Sequence, residues 1–163
     1  MPQAGRGDRQ EGRGLAFCGR VDLGRTPEGL DVFEHLVRYV RFLLEEGVRL
    51  RCVVVMGSRA RGDWEPTSDT DVLIVVDQAA KRLPRSRDAL AIGLEVRVFR
   101  PEELLRALEE FRLTALEAGD HGVPIYDDGF WGEFKARFEE IKAAYGLERT
   151  GLGWRIQRTE ETL

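Results

Sequence analysis

Gly57-Ser58-Arg59-Ala60-Arg61-Gly62-Asp63-Trp64-Glu65-Pro66-Thr67-Ser68-Asp69-Thr70-Asp71 is the stretch from which the rest of the chain can be read. The apolar run Cys52-Val53-Val54-Val55-Met56 precedes it and Val72-Leu73-Ile74-Val75-Val76 follows it. Two short β-branched runs separated by Gly and Pro predict two buried strands joined through a turn and a short helix. A strand that stops at a Gly-Ser turn and enters a helix leaves backbone N–H groups free, and such groups favour phosphate. Arg59 and Arg61 add positive charge beside that turn. Beyond Ser58 and ten intervening residues stand Asp69 and Asp71, spaced i, i+2. On a strand those carboxylates share a face, and two like charges held together call for a cation. Hard oxygen ligands of this kind suit Mg²⁺ or Mn²⁺ beside a substrate's phosphates. A phosphate cradle and an acidic metal pair in one segment point to a nucleoside triphosphate.

Position separates this reading from its competitors. A phosphotransferase with an aspartate nucleophile carries its acidic pair after an apolar strand, whereas here the apolar run follows the pair. An EF-hand loop counted from Asp69 needs Gly at its sixth place and Glu at its twelfth, but Ile74 and Ala80 stand there. Neither GxxxxGK[ST] nor GxGxxG occurs. A site with two metals needs a third acid, and Glu95 is the candidate, on the polar face of a strand expected over 93–99. The bland reading of Glu95 and Arg97 is a solvated strand face.

Working outward, helical spacing predicts a helix over 32–46, ended by Gly47. Pro101, with Glu102 and Glu103 behind it, opens a helix expected over 101–118. Val123-Pro124-Ile125-Tyr126 reads as a short edge strand, and 129–145 as a helix burying Phe130, Phe134, Phe138 and Ile141. The expected organisation is a disordered leader over 1–28, one α/β domain over 29–146 and a frayed tail over 147–163. A nucleic-acid-binding Gly/Arg arm is the other reading of the leader, weakened by Asp8, Glu11 and the lack of aromatics.

With 163 residues, 42% of them hydrophobic and 33% charged, the chain has material for one folded core. A net charge of −4 argues against dedicated binding to nucleic acid or an anionic membrane. Two cysteines make neither a disulfide framework nor a cysteine zinc site, and no apolar segment has the length of a signal or span, so a cytoplasmic location is expected.

Gly57-Ser58, ten residues and Asp69-Thr70-Asp71 resemble the signature of the minimal nucleotidyltransferases, within the DNA polymerase β-like nucleotidyltransferase superfamily. Glu95-Val-Arg-Val-Phe-Arg-Pro-Glu-Glu-Leu104 and Gly122-Val-Pro-Ile-Tyr126 look like later parts of the same family, so the likeness runs over about residues 30–145. It implies an α/β (α+β) nucleotidyltransferase fold, a mixed sheet with helices on one face and the metal site on the other. Carried over by position, Gly57, Ser58, Arg59 and Arg61 would bind the nucleotide, and Asp69, Asp71 and Glu95 would be the catalytic metal ligands, for two Mg²⁺ ions. The implied reaction moves a nucleoside monophosphate, AMP from ATP, to a hydroxyl. In short stand-alone members of the family that hydroxyl is a tyrosine of a HEPN-type helical partner, which makes the expected role an antitoxin. Many members carry Asp where this chain has Glu95, which separates nucleotide binding from turnover. The competing readings are a non-catalytic nucleotide- or partner-binding module and, less expected without a second domain, a small-molecule transferase of the aminoglycoside type. Homo-oligomerisation is left open. His35, Cys52 and Trp131 read as packing residues, His121 as part of a turn with a base as its other reading, and Trp64 as a packing partner of Pro66 or a stacking surface for a base.

Overall fold

Strands β1 (Leu50–Met56) and β2 (Thr70–Val76) are apolar at nearly every position, so both of their faces need a cover. The computed structural model describes residues 16–79 and 82–157, and in it both faces are covered. The sheet runs β3-β2-β1-β4, with β3 (Leu94–Phe99) parallel to β2 and the pairs β1·β2 and β1·β4 antiparallel. β4 is Val123–Asp127. Helix α1 (Val32–Glu45) lies over Val53, Val55, Val72 and Ile74, with α3 (Arg87–Ala91) joined to it by His35 Nδ1 and Asp88 Oδ1 at 2.8 Å. On the other face α4 (Pro101–Glu109), α5 (Leu113–His121) and α6 (Phe130–Tyr145) cover Cys52, Val54, Leu73 and Val75. The mixed α/β fold agrees with the sequence reading, but the expectation of helices on one face alone is corrected. Two-sided apolar strands cannot leave a face bare.

The helix expected over 101–118 is two helices. α4 stops at Glu109, and Phe111 takes a left-handed conformation, φ 57°, while the Arg112 N–H turns back to Ala107 O at 2.9 Å. No Gly marks this break, and the Phe111 ring, edge-on to Tyr145 at 5.1 Å, anchors it. The break redirects α5 so that its exposed Leu113 and its last turn flank the end of the sheet.

Both expected termini are corrected where the structure describes them. Residues 1–15 and 158–163 lie outside the described residues. Of the expected leader, residues 16–28 pack on the domain: Leu23 is buried, and the Cys18 N–H donates to Ile125 O at 2.8 Å along the outer edge of β4. Of the expected tail, β5 (Leu147–Thr150) and β6 (Gly153–Ile156) form a hairpin. Leu147 is buried there, and Trp154 meets Phe138 edge-on at 6.3 Å. A lone apolar residue every few positions gives no period to read in either segment. Among the described residues no helix is long and apolar enough to cross a membrane.

Candidate functional site

β1 ends beside the acidic pair because Met56 is paired with Asp71. The next residue, Gly57, has φ 72°, and a Cβ placed on it would lie 2.5 Å from Asp71 Oδ2. Backbone conformation and space therefore both demand glycine here. Gly57 begins α2 (Gly57–Arg61), a single turn too short for a useful dipole. What it offers is backbone: the first N–H groups of a helix have no partner within it, and Met56, the residue before the helix, makes no side-chain cap bond to them. The Gly57 N–H itself is engaged, donating to His121 Nε2 at 3.0 Å.

Across the sheet from Asp71 stands Glu95, its neighbour in the parallel pairing of β2 with β3. The Glu95 carboxyl is held above its usual range by its hydrogen bond with Asp71 first, and then by the negative charge of Asp69 and Asp71; Arg97 works against that rise. Asp69 precedes β2, in the turn near Gly93. Thr70, the residue between the two acids, is fully buried and pins them: its N–H donates to Gly93 O at 3.0 Å and its hydroxyl to Ile92 O at 2.7 Å. Asp71 and Glu95 thus meet at the strand ends and Asp69 adds its charge to them, an oxygen-rich set that suits a divalent cation.

A cleft of 460 Å³ brings Gly57, Ser58, Arg61, Asp71, Glu95 and His121 together between the strand ends and α5. Arg61, paired at 3.2 Å with Asp63, lines it, and so does Arg97. Arg59 does not. It is 1% exposed and donates to Leu23 O at 2.9 Å, Ser68 O at 3.0 Å and Pro66 O at 3.2 Å, with Arg25 O at 3.4 Å. Burial pushes this guanidinium below its usual value, and the charge of Asp69 opposes the shift. The nucleotide-binding role expected of Arg59 is therefore corrected: it fastens the loop carrying Asp69 to the segment before α1. Trp64 belongs to the same fastening, since its ring lies under Arg59 at 5.6 Å and fills the space a side chain at Gly24 would need.

His121, expected as part of a turn, instead ends α5 and reaches the site through Nε2. A backbone N–H can only donate, so Nε2 is the bare nitrogen and Nδ1 carries the proton, toward Asp120 Oδ2 at 3.1 Å. Glu117, Asp120 and His121 have ligand atoms within 4.8 Å of one another, the one such trio among the described residues. Arg149 reaches Glu117 at 2.8 Å and Asp120 at 3.7 Å, and Trp154 Nε1 donates to Glu117 at 3.3 Å. Those bonds make the cluster an anchor between the C-terminal hairpin and the Gly57 turn. Its signal in the sequence is the i, i+3, i+4 spacing of Glu117, Asp120 and His121, visible only once that segment is known to be helical.

Residues 36–143, more than half of the chain, match the profile of the nucleotidyltransferase domain. No curated protein matches the chain significantly. Among solved structures, a toxin–antitoxin with AMP-PNP aligns at a TM-score of 0.41 and 13% identity, over 68% of this chain and 90% of that one. A mutant of the toxin–antitoxin MntA–HpeT aligns at 0.37 and 12% identity, over 65% of this chain and 88% of that one.

Proposed function

Because the chain belongs to the nucleotidyltransferase domain family, we propose that it transfers a nucleoside monophosphate, AMP from ATP, to a hydroxyl on a separate helical partner protein of the HEPN type. The observation that carries this reading is the meeting of the Gly57 turn with Asp71 and Glu95 in one cleft. Ser58, the N–H groups at the start of α2 and Arg61 take the phosphate oxygens. Asp69, Asp71 and Glu95 hold divalent metal, magnesium by the hardness of their oxygens, and bound metal supplies neutralisation of the charge on the phosphates. His121 keeps the Gly57 turn in place. The acceptor oxygen forms its bond to the α-phosphorus as the bond to the β-phosphate breaks; pyrophosphate leaves and the hydroxyl proton passes to water.

The partner reading is supported by the likeness of the sequence to short stand-alone members, whose acceptor is a tyrosine on a second chain. Incubation with the product of the adjacent gene and ATP labelled at either the α- or the γ-phosphate tests it. Movement of the α label alone is expected. Movement of the γ label would make the protein a kinase instead. Bound nucleotide with neither label moving would leave a non-catalytic binding module.

A further inference from the structure

α5 presents one face to the cleft that holds the carboxylates. Leu113, Glu117 and His121, spaced i, i+4 and i+8, line it together with Thr114. Eight residue rises separate Leu113 from His121, about 12 Å. That is close to the span from β1 to β3 across the sheet, roughly 10 Å for two strand spacings. At its last turn the helix holds the Gly57 turn through His121, and at its first turn Leu113 lines the cleft with Arg97 of β3. Arg97 lies two residues beyond Glu95 and pairs with Leu73 of β2, so its side chain shares the sheet face of Glu95 and Asp71. Its charge reaches the Glu95 carboxylate.

The cleft therefore changes chemistry along its length. Around Gly57 it offers backbone N–H groups and Arg61, at its middle stand Asp71 and Glu95, and at the start of α5 it offers Leu113 and Thr114. Leu113 is 61% exposed, and of the large exposed apolar side chains among the described residues it is the one that lines this cleft. A single exposed leucine is ordinary on a surface. This one stands at the opposite end of a cleft from a phosphate turn, on the helix that fastens that turn. Beyond it the cleft does not close. Arg97, Leu113 and Thr114 also line a neighbouring hollow of 790 Å³, between β3, α4 and α5, to which Phe99 and Ala107 add further apolar surface.

A nucleoside triphosphate has the same order, with phosphates at one end and a flat, largely apolar ring at the other. With its outer phosphates at the Gly57 turn and its α-phosphate at the carboxylates, the ring falls at the Leu113 end. An aliphatic side chain and a guanidinium line the cleft there, and both pack on the flat face of a ring. We propose that Leu113 and Arg97 form the base subsite, with the base lying against Leu113 and stacking on the Arg97 guanidinium. The Thr114 hydroxyl both donates and accepts, so it matches either kind of base edge. The subsite selects by ring area, a purine over a pyrimidine, and the open hollow beyond gives the larger ring its room. The proposal deepens the reading of nucleotidyl transfer and rests on it.

The probes are ATP, UTP and inorganic tripolyphosphate, which carries phosphates and no nucleoside, each titrated calorimetrically with Mg²⁺. Wild type is expected to bind ATP about tenfold more tightly than tripolyphosphate, with UTP between them. Leu113→Asn, at an exposed position, should keep the wild-type unfolding midpoint and the affinity for tripolyphosphate while shrinking the preference for ATP. Arg97→Lys keeps the charge and loses the plane, so it should act in the same sense, and the double variant should bind ATP and tripolyphosphate alike. An ATP preference that survives in the folded double variant overturns the proposal, and UTP bound as tightly as ATP overturns selection by ring area. Equal binding of ATP and tripolyphosphate by wild type removes the base subsite and leaves the triphosphate site standing. Binding of none of the three would sink the transfer reading, and the base subsite with it.

Discussion

His121 Nε2 accepts the backbone N–H of Gly57 at 3.0 Å, tying the end of α5 to the turn that follows β1. His121→Ala would leave that amide without a partner in a half-buried place, at a cost of about 1–3 kcal/mol. Faster hydrogen exchange at the Gly57 amide and a raised KM for MgATP are expected, with kcat less affected. His121→Gln, which keeps an acceptor, should restore part of both. Unchanged exchange at Gly57 in the alanine variant would refute the positioning role.

Gly57→Ala tests the approach of β1 to Asp71. The substitution meets a φ of 72° and an oxygen 2.5 Å from the new Cβ. A loss of about 1–3 kcal/mol is expected from the backbone conformation alone, with more from the clash. Gly57→Ala/Asp71→Ala removes the clash and keeps the backbone cost, so the double variant should be more stable than the sum of the single effects. Denaturant unfolding of the four proteins measures the coupling.

Arg59 separates scaffold from site. Replacing it with Met strands a set of buried carbonyls, for a destabilisation of about 3 kcal/mol or more, and Arg59→Lys should not rescue it because an ammonium lacks the planar fork. Well below its unfolding midpoint the Met variant should keep the wild-type KM for MgATP. A large rise in KM in a folded Arg59→Met protein would return this residue to nucleotide binding.

The crowding of Glu95 by Asp71 and Asp69 has a pH signature. A carboxyl whose folded pKa is raised binds protons more tightly folded than unfolded, so it lowers stability as pH rises through its range, and the cost is complete above the folded pKa. With chelator present, Glu95→Gln should therefore stabilise the protein at neutral pH and flatten its stability profile through the carboxylate range. Added Mg²⁺ should stabilise wild type more than Glu95→Gln. Equal pH profiles in thermal unfolding would contradict the like-charge account.

The strands of the site and their neighbours were legible because each has a period or a boundary. Val53 to Met56 and Val72 to Val76 are too apolar for a loop, and Pro101 marks its helix. Gly57 and Asp71 were legible as a pair because the turn chemistry and the acidic spacing fall on one segment. What escaped depends on distance in space. Arg59 reads as a phosphate ligand until Leu23, Pro66 and Ser68 surround it, and these come from two other segments. The break at Phe111 carries no Gly, so nothing local announces it, and nothing local announces the bond from Gly57 to His121, 64 residues away. The hairpin of β5 and β6 is held by Trp154 on Phe138 and by Arg149 on Glu117, contacts with no local pattern.

The central claim is that the Gly57 turn and the carboxylates of β2 and β3 form one metal–triphosphate site. Calorimetric titration of ATP with Mg²⁺ into wild type and into Asp69→Asn/Asp71→Asn tests it most directly. Saturable heat in wild type that disappears in the double variant, and in wild type without Mg²⁺, is the predicted result. No heat from folded wild type, or equal binding by the folded double variant, would contradict it.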